Sequence, residues 1–110
     1  MCGLSFFYNS KNIFSKEELK EFSNSSLQEL NRRGPDHYQT ATECGDRLLL
    51  CHARLSIIDL SALANQPMIS ASGNSILLFN GEIYNHRKLR SQFFKSTHRW
   101  KTTSDTETLL

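Results

Sequence analysis

Cys2 heads the residues whose types could do chemistry. Its side chain is small enough for cytoplasmic processing to remove Met1, which would leave a thiol and a free α-amine on one residue. A free α-amine has an intrinsic pKa of about 7.7–8.0 and a free thiol one of about 8.5, so at neutral pH the amine can serve as the local base. The same dipeptide also describes a cysteine that merely begins a buried strand. Arg54 closes an apolar run, and a guanidinium there suits paired hydrogen bonds to a carboxylate, although an exposed strand-end arginine has the same sequence signature. Asn80-Gly81 is the commonest tight-hairpin dipeptide. Its sharper reading is a side-chain amide and a backbone N–H converging on the negative oxygen of a tetrahedral intermediate. Asp105 stands where a helix should start, a position that favours an acid through the helix dipole. As a site residue it would offer a carboxylate to an ammonium group, with Glu82 as a second acceptor.

These residues need one domain to hold them, and 110 residues suffice for one with a real core, residues 1–110, but not for two. A hydrophobic share of 38% with 22% charged residues lies in the ordinary globular range and suggests neither disorder nor a disulfide scaffold. The net charge of +2, with basic residues scattered among acids, argues against nucleic acid binding. No apolar run approaches the ~20 residues of a membrane span. Polar Asn9, Ser10 and Lys11 interrupt the N-terminal apolar stretch too soon for a secretory leader. Cys2, Cys44 and Cys51 form an odd set without CxxC spacing, which speaks against disulfides and structural zinc and for a reducing cytoplasm. His52, His86 and His98 lack metal-ligand spacing, and no metal is expected.

The positioning elements follow from patterning. Leu4 to Tyr8 is predicted as a buried strand. Ser15 and Glu18 form a capping box that opens a helix to about Arg32, with Leu19, Phe22, Leu27 and Leu30 on one face. Gly34 is expected to end it in the left-handed conformation, with Pro35 preventing continuation. A hairpin of strands His37 to Thr42 and Arg47 to Arg54 turns at Cys44-Gly45-Asp46. Leu55 to Leu60 reads as a loop or short strand able to line a pocket, and Ser75 to Phe79 as a strand. Asn85 is expected to cap a helix to about Phe94 with Leu89 and Phe93 inward, and Ser104 with Glu107 to form a second capping box. That last helix has barely begun at Leu110, so the chain reads as the first part of something longer. The order of elements indicates an α+β sandwich rather than alternating βαβ units.

Six words occur in order along the chain: Met1-Cys2-Gly3, Arg33-Gly34-Pro35-Asp36, His52 to Asp59, Gln66-Pro67-Met68, Asn80-Gly81-Glu82-Ile83-Tyr84-Asn85 and Ser104-Asp105-Thr106-Glu107. Together they resemble the glutaminase domain of asparagine synthetases, a class II glutamine amidotransferase domain, over nearly the whole chain. Amidophosphoribosyltransferases and glucosamine-phosphate synthases share the Cys2 start but usually differ at the second and third words. The resemblance implies the N-terminal-nucleophile hydrolase fold, an αββα four-layer sandwich of which only the first part is present, leaving a sheet layer uncovered. It implies Cys2 as nucleophile, Asn80 and Gly81 as oxyanion hole, Arg54 on the α-carboxylate of L-glutamine and Asp105 on its α-ammonium. Leu55, Ser56, Ile57, Ile58 and Glu82 would complete the substrate pocket. It implies further partners: a C-terminal synthetase domain using ATP and Mg2+ to amidate aspartate with the released ammonia, and a homodimer of the full-length protein. No cofactor is expected in this segment, and activity from this segment alone is not expected. The alternatives are an amidotransferase for another carboxylate acceptor, or a non-catalytic glutamine-sensing or interaction module.

Overall fold

In the computed structural model, which describes residues 1–110, the chain is a small α+β arrangement built around one antiparallel three-stranded sheet. Its strands are β1 (Gly3–Tyr8), β2 (His37–Glu43) and β3 (Leu48–Arg54), in the order β1-β3-β2. The register sets Gly3 opposite Ala53 and Tyr38 opposite the same residue, so the start of the chain lies beside the end of the central strand. The hairpin turns where expected, with Cys44, Gly45 and Asp46 all at positive φ.

Helix α1 (Lys16–Leu30) covers one face of this sheet. Its N-terminus is closed by both halves of the capping box: Glu18 N–H donates to Ser15 Oγ at 3.2 Å and Ser15 N–H to Glu18 Oε2 at 2.8 Å. Leu19 is buried on the helix face toward the sheet, and Phe7 of β1 meets Phe14 and Phe22 with ring centroids 5.2 and 4.9 Å apart. Period-2 alternation then sends Leu4, Phe6 and Tyr8 to the other face. There they are 37%, 66% and 52% exposed, so β1 is buried on one side only and not throughout, as its apolar composition suggests.

Gly34 departs from its expected role, since its φ is not left-handed. What requires glycine is close approach: a Cβ would stand 2.1 Å from the Ala53 carbonyl oxygen and 2.6 Å from Arg54 N. The chain leaving α1 therefore lies directly against the end of β3.

Beyond β3 come a loop, a 3-10 turn (Ala62–Ala64), and the short pair β4 (Met68–Ile69) and β5 (Ile76–Leu77). The patterning missed β4 and overextended β5. Helix α2 (His86–Phe93) begins at Asn85 without a side-chain cap bond, and Phe93 is 76% exposed while His86 is buried in its place. In α3 (Asp105–Leu109) the Ser104 hydroxyl accepts from Thr106 N–H. The expected second capping box does not close, because Glu107 turns to the N–H groups of Lys101 and Thr102 at 2.9 and 2.8 Å. Arg90 of α2 binds the Thr108 hydroxyl and the carbonyls of Thr102 and Ser104 and lies over the Trp100 ring, pinning α3 to α2.

Candidate active site

A cavity of about 270 Å3 opens where the start of β1, the end of β3 and the N-terminus of α3 converge. Cys2 reaches it as the residue before β1. Leu55 N–H donates to the Cys2 sulfur at 3.3 Å. The thiol faces the Leu55 carbonyl oxygen at 3.6 Å. Met1 lines the mouth and is 73% exposed.

The segment leaving α1 holds this corner. Arg33 Nε donates to the Cys2 carbonyl at 3.2 Å, Gly34 lies against Ala53 and Arg54, and Asp36 Oδ2 accepts from Ser56 N–H at 2.7 Å. Asp36 N–H also donates to the Arg54 carbonyl at 3.0 Å. One tetrapeptide thus fixes the nucleophile candidate, the strand end and the loop that follows.

Arg54 is 5% exposed and lines the cavity. Its Nη1 donates to the Ser61 carbonyl at 2.9 Å and to Asn65 Oδ1 at 2.7 Å, and its Nη2 to the carbonyls of Ile58 (3.3 Å) and Asp59. All these acceptors are neutral. The ion pairs of the chain lie elsewhere, Lys16 with Asp46 and Arg90 with Glu107. A buried cation without a counter-ion gives this end of the cavity a positive field that suits an anionic group. Asp59, at φ 56°, organises the loop: its Oδ1 accepts from Ser61 and its Oδ2 from Thr103. These bonds, the Ser61 hydroxyl first, hold its carboxyl at about 2.

Across the cavity, neither Asn80 nor Gly81 has positive φ, which excludes the tight-hairpin reading of this pair. They follow Phe79, whose N–H donates to Gln66 Oε1 at 2.5 Å and whose carbonyl accepts from Gln66 Nε2 at 3.2 Å. Gln66 is 5% exposed and also reaches the Thr106 hydroxyl at 3.4 Å, tying the Asn80 segment to α3. A Cβ on Gly81 would meet the Phe79 ring at 2.8 Å. Asp105 is 5% exposed, with Oδ2 accepting from Ile83 N–H at 2.8 Å and Oδ1 from Thr106 N–H at 3.0 Å.

Cys2, Arg54, Leu55, Ile57, Ile58, Asn80, Gly81, Glu82 and Asp105 all line this one cavity. Ser56 does not line it, and its backbone N–H donates to Asp36. Sequence reasoning missed the parts played by Gln66, Asp59 and Asn65, whose partners are distant or backbone. No three His, Cys, Asp or Glu side chains gather as they would for a metal.

His52 of β3 is fully buried, and neither ring nitrogen makes a hydrogen bond of good geometry, the Phe79 backbone being its polar neighbour. Burial, with the charges of Arg54 and His37 behind it, depresses its pKa from 6.5 to about 4. The unfolded chain therefore binds a proton first as pH falls. Stability from this group is complete above pH 6.5 and declines as pH drops through 6.5 toward 4. The expected loss is ~3 kcal/mol. Thermal unfolding of the full-length protein against pH checks this, and His52→Gln is expected to flatten that limb.

A family model described as a glutamine amidotransferase domain matches residues 1–110. The chain is 36% identical, over its whole length, to a probable glutamine-hydrolysing asparagine synthetase of Schizosaccharomyces pombe and 40% identical to one of Dictyostelium discoideum. It is 34% identical to asparagine synthetase B (glutamine-hydrolysing) of Escherichia coli, again over all of this chain. In each case it spans 19% of the relative's length.

Proposed function

Because the chain belongs to the family of glutamine amidotransferase domains, we propose that its cavity hydrolyses the side-chain amide of L-glutamine with Cys2 as nucleophile. The observation that carries this reading is the Cys2 sulfur sharing one cavity with an uncompensated cation, Arg54, and a buried carboxylate, Asp105. A zwitterionic amino acid head requires that pairing of opposite charges. Glutamine would lie with its α-carboxylate toward Arg54 and its α-ammonium toward Asp105, with Glu82 and the Leu55 to Ile58 backbone completing the pocket.

With Met1 removed, the Cys2 α-amine takes the thiol proton as sulfur attacks the amide carbon. The carbonyl oxygen becomes an oxyanion, held by the Asn80 side-chain amide and Gly81 N–H. The C–N bond breaks, the nitrogen takes the proton from the amine, and ammonia leaves a γ-glutamyl thioester. Water adds to the thioester carbon, giving its proton to the amine. The tetrahedral oxyanion collapses, sulfur leaves, and the thiol and glutamate are restored.

The exposed row of Leu4, Phe6 and Tyr8 supports a further sheet layer over this face, as in the αββα sandwich. In the longer protein, ammonia would pass to a C-terminal synthetase domain that consumes ATP with Mg2+ to amidate aspartate, in a reducing cytoplasm that keeps Cys2 a thiol. That domain, not this cavity, would choose the acceptor.

The test is affinity labelling of the full-length protein with a chloroketone analogue of glutamine. One adduct on Cys2, located by peptide mass and prevented by excess glutamine, is expected. An unlabelled Cys2, or equal labelling of the exposed Cys44, contradicts the proposal and supports a non-catalytic module.

A further inference from the structure

Asp59 touches neither the cavity nor its expected occupant, yet it connects the two walls that carry opposite charge. Its carbonyl accepts from Arg54 Nη2, and its Oδ1 accepts from Ser61 N–H at 2.9 Å and from the Ser61 hydroxyl at 2.6 Å. Ser61 in turn offers its carbonyl to Arg54 Nη1 at 2.9 Å. The other carboxylate oxygen, Oδ2, accepts from Thr103 N–H at 2.6 Å and from its hydroxyl at 3.2 Å. Thr103 immediately precedes Ser104, the N-cap of the helix that begins at Asp105. One side chain therefore spans from the Arg54 loop to the Asp105 helix, across 44 positions of sequence.

The placement of Asp59 suits this span. Its backbone sits at φ 56°, where aspartate, asparagine and glycine are accommodated more readily than other residues. From that conformation its carbonyl meets the guanidinium while its carboxylate meets Ser61 and Thr103. Through Asp59 and Ser61 the Arg54 loop is thus hydrogen-bonded to the segment that leads into α3.

We propose that Asp59 is a positioning residue that sets the separation between Arg54 and Asp105, and so makes the cavity selective for a free α-amino acid whose carboxylate and ammonium are one carbon apart. The inference rests on the roles given above to Arg54 and Asp105. It adds a determinant of specificity that lies outside the cavity. A misplacement of one charged wall weakens recognition of the amino acid head without touching the sulfur or the oxyanion donors.

The test uses the full-length protein carrying Cys2→Ala, so that glutamine is bound and not consumed, with titration calorimetry as readout. Asp59→Asn and Asp59→Gly both tolerate the left-handed backbone, and each is expected to weaken glutamine binding about tenfold. In an Asp105→Asn background the same Asp59 substitutions are expected to add less than about a twofold further loss, because the wall they hold no longer carries its charge. With Cys2 intact, KM for glutamine should rise while kcat stays within about twofold. Unchanged glutamine affinity, or losses that add fully to that of Asp105→Asn, overturns the proposal in favour of a purely structural Asp59. If the Cys2→Ala protein binds glutamine but the intact protein does not hydrolyse it, the catalytic reading fails while the Asp59 result stands. Absence of glutamine binding overturns both.

Discussion

Full-length protein carrying Cys2→Ala is expected to lose glutamine hydrolysis by about a thousandfold or more. The reason is that nothing else in the cavity can replace the sulfur. Of the hydroxyls that line it, Ser104 accepts from Thr106 N–H, Thr106 accepts from Gln66 Nε2, and Tyr84 is an exposed phenol beside Glu82. Cys51 is buried in the sheet, where burial raises its thiol pKa, and Cys44 stands exposed on the hairpin turn. Alanine leaves Arg54, Asp105, Asn80 and Gly81 in place, so glutamine should still bind. Glutamate release measured alongside binding separates the two effects. ATP-dependent amidation from added ammonia, the activity proposed for the rest of the protein, should persist. Glutamate formation within tenfold of the unaltered protein would remove Cys2 from the mechanism.

Placing one uncleaved residue between Met1 and Cys2 is expected to cost about a hundredfold to ten-thousandfold in kcat, the worth of a general base. The insertion leaves the thiol and moves the amine. No other group is set to substitute for it. His52 is fully buried and held neutral, and does not reach the cavity. Asp105 spends both oxygens on the N–H groups of Ile83 and Thr106, and Glu82 is exposed. Intact mass establishes that the added residue is retained, and hydrolysis at undiminished rate in that protein sinks the amine's role.

Features that depend on near neighbours in sequence were legible. The Ser15 and Glu18 capping box, the start of α1 and the Cys44 to Asp46 turn are set by residues within a few positions of each other. Features set by distant contacts were not. Gly34 looked like a helix terminator because its true constraint is Ala53, on a strand that patterning cannot bring against it. Phe93 looked inward by helical spacing, but its helix is short and the buried position went to His86. Asn85 and Glu107 carried capping signatures, yet Asn85 makes no side-chain cap bond and Glu107 found better donors in Lys101 and Thr102. For the site, residue types and the order of six words pointed to the groups that one cavity brings together. The residues that hold those groups, Gln66 and Asp59, act on Phe79, Thr106 and Thr103, and no local spacing signals bonds of that reach.

The tetrapeptide Arg33 to Asp36 has a mechanical consequence. Its contacts run at once to the Cys2 carbonyl, the end of β3 and the Ser56 N–H. Bending of the sheet or rocking of α1 then displaces sulfur and pocket floor together, as a clip carries both sheets of paper. A substitution in this tetrapeptide is then expected to be felt at Cys2 and at the Leu55 to Ser56 segment at once.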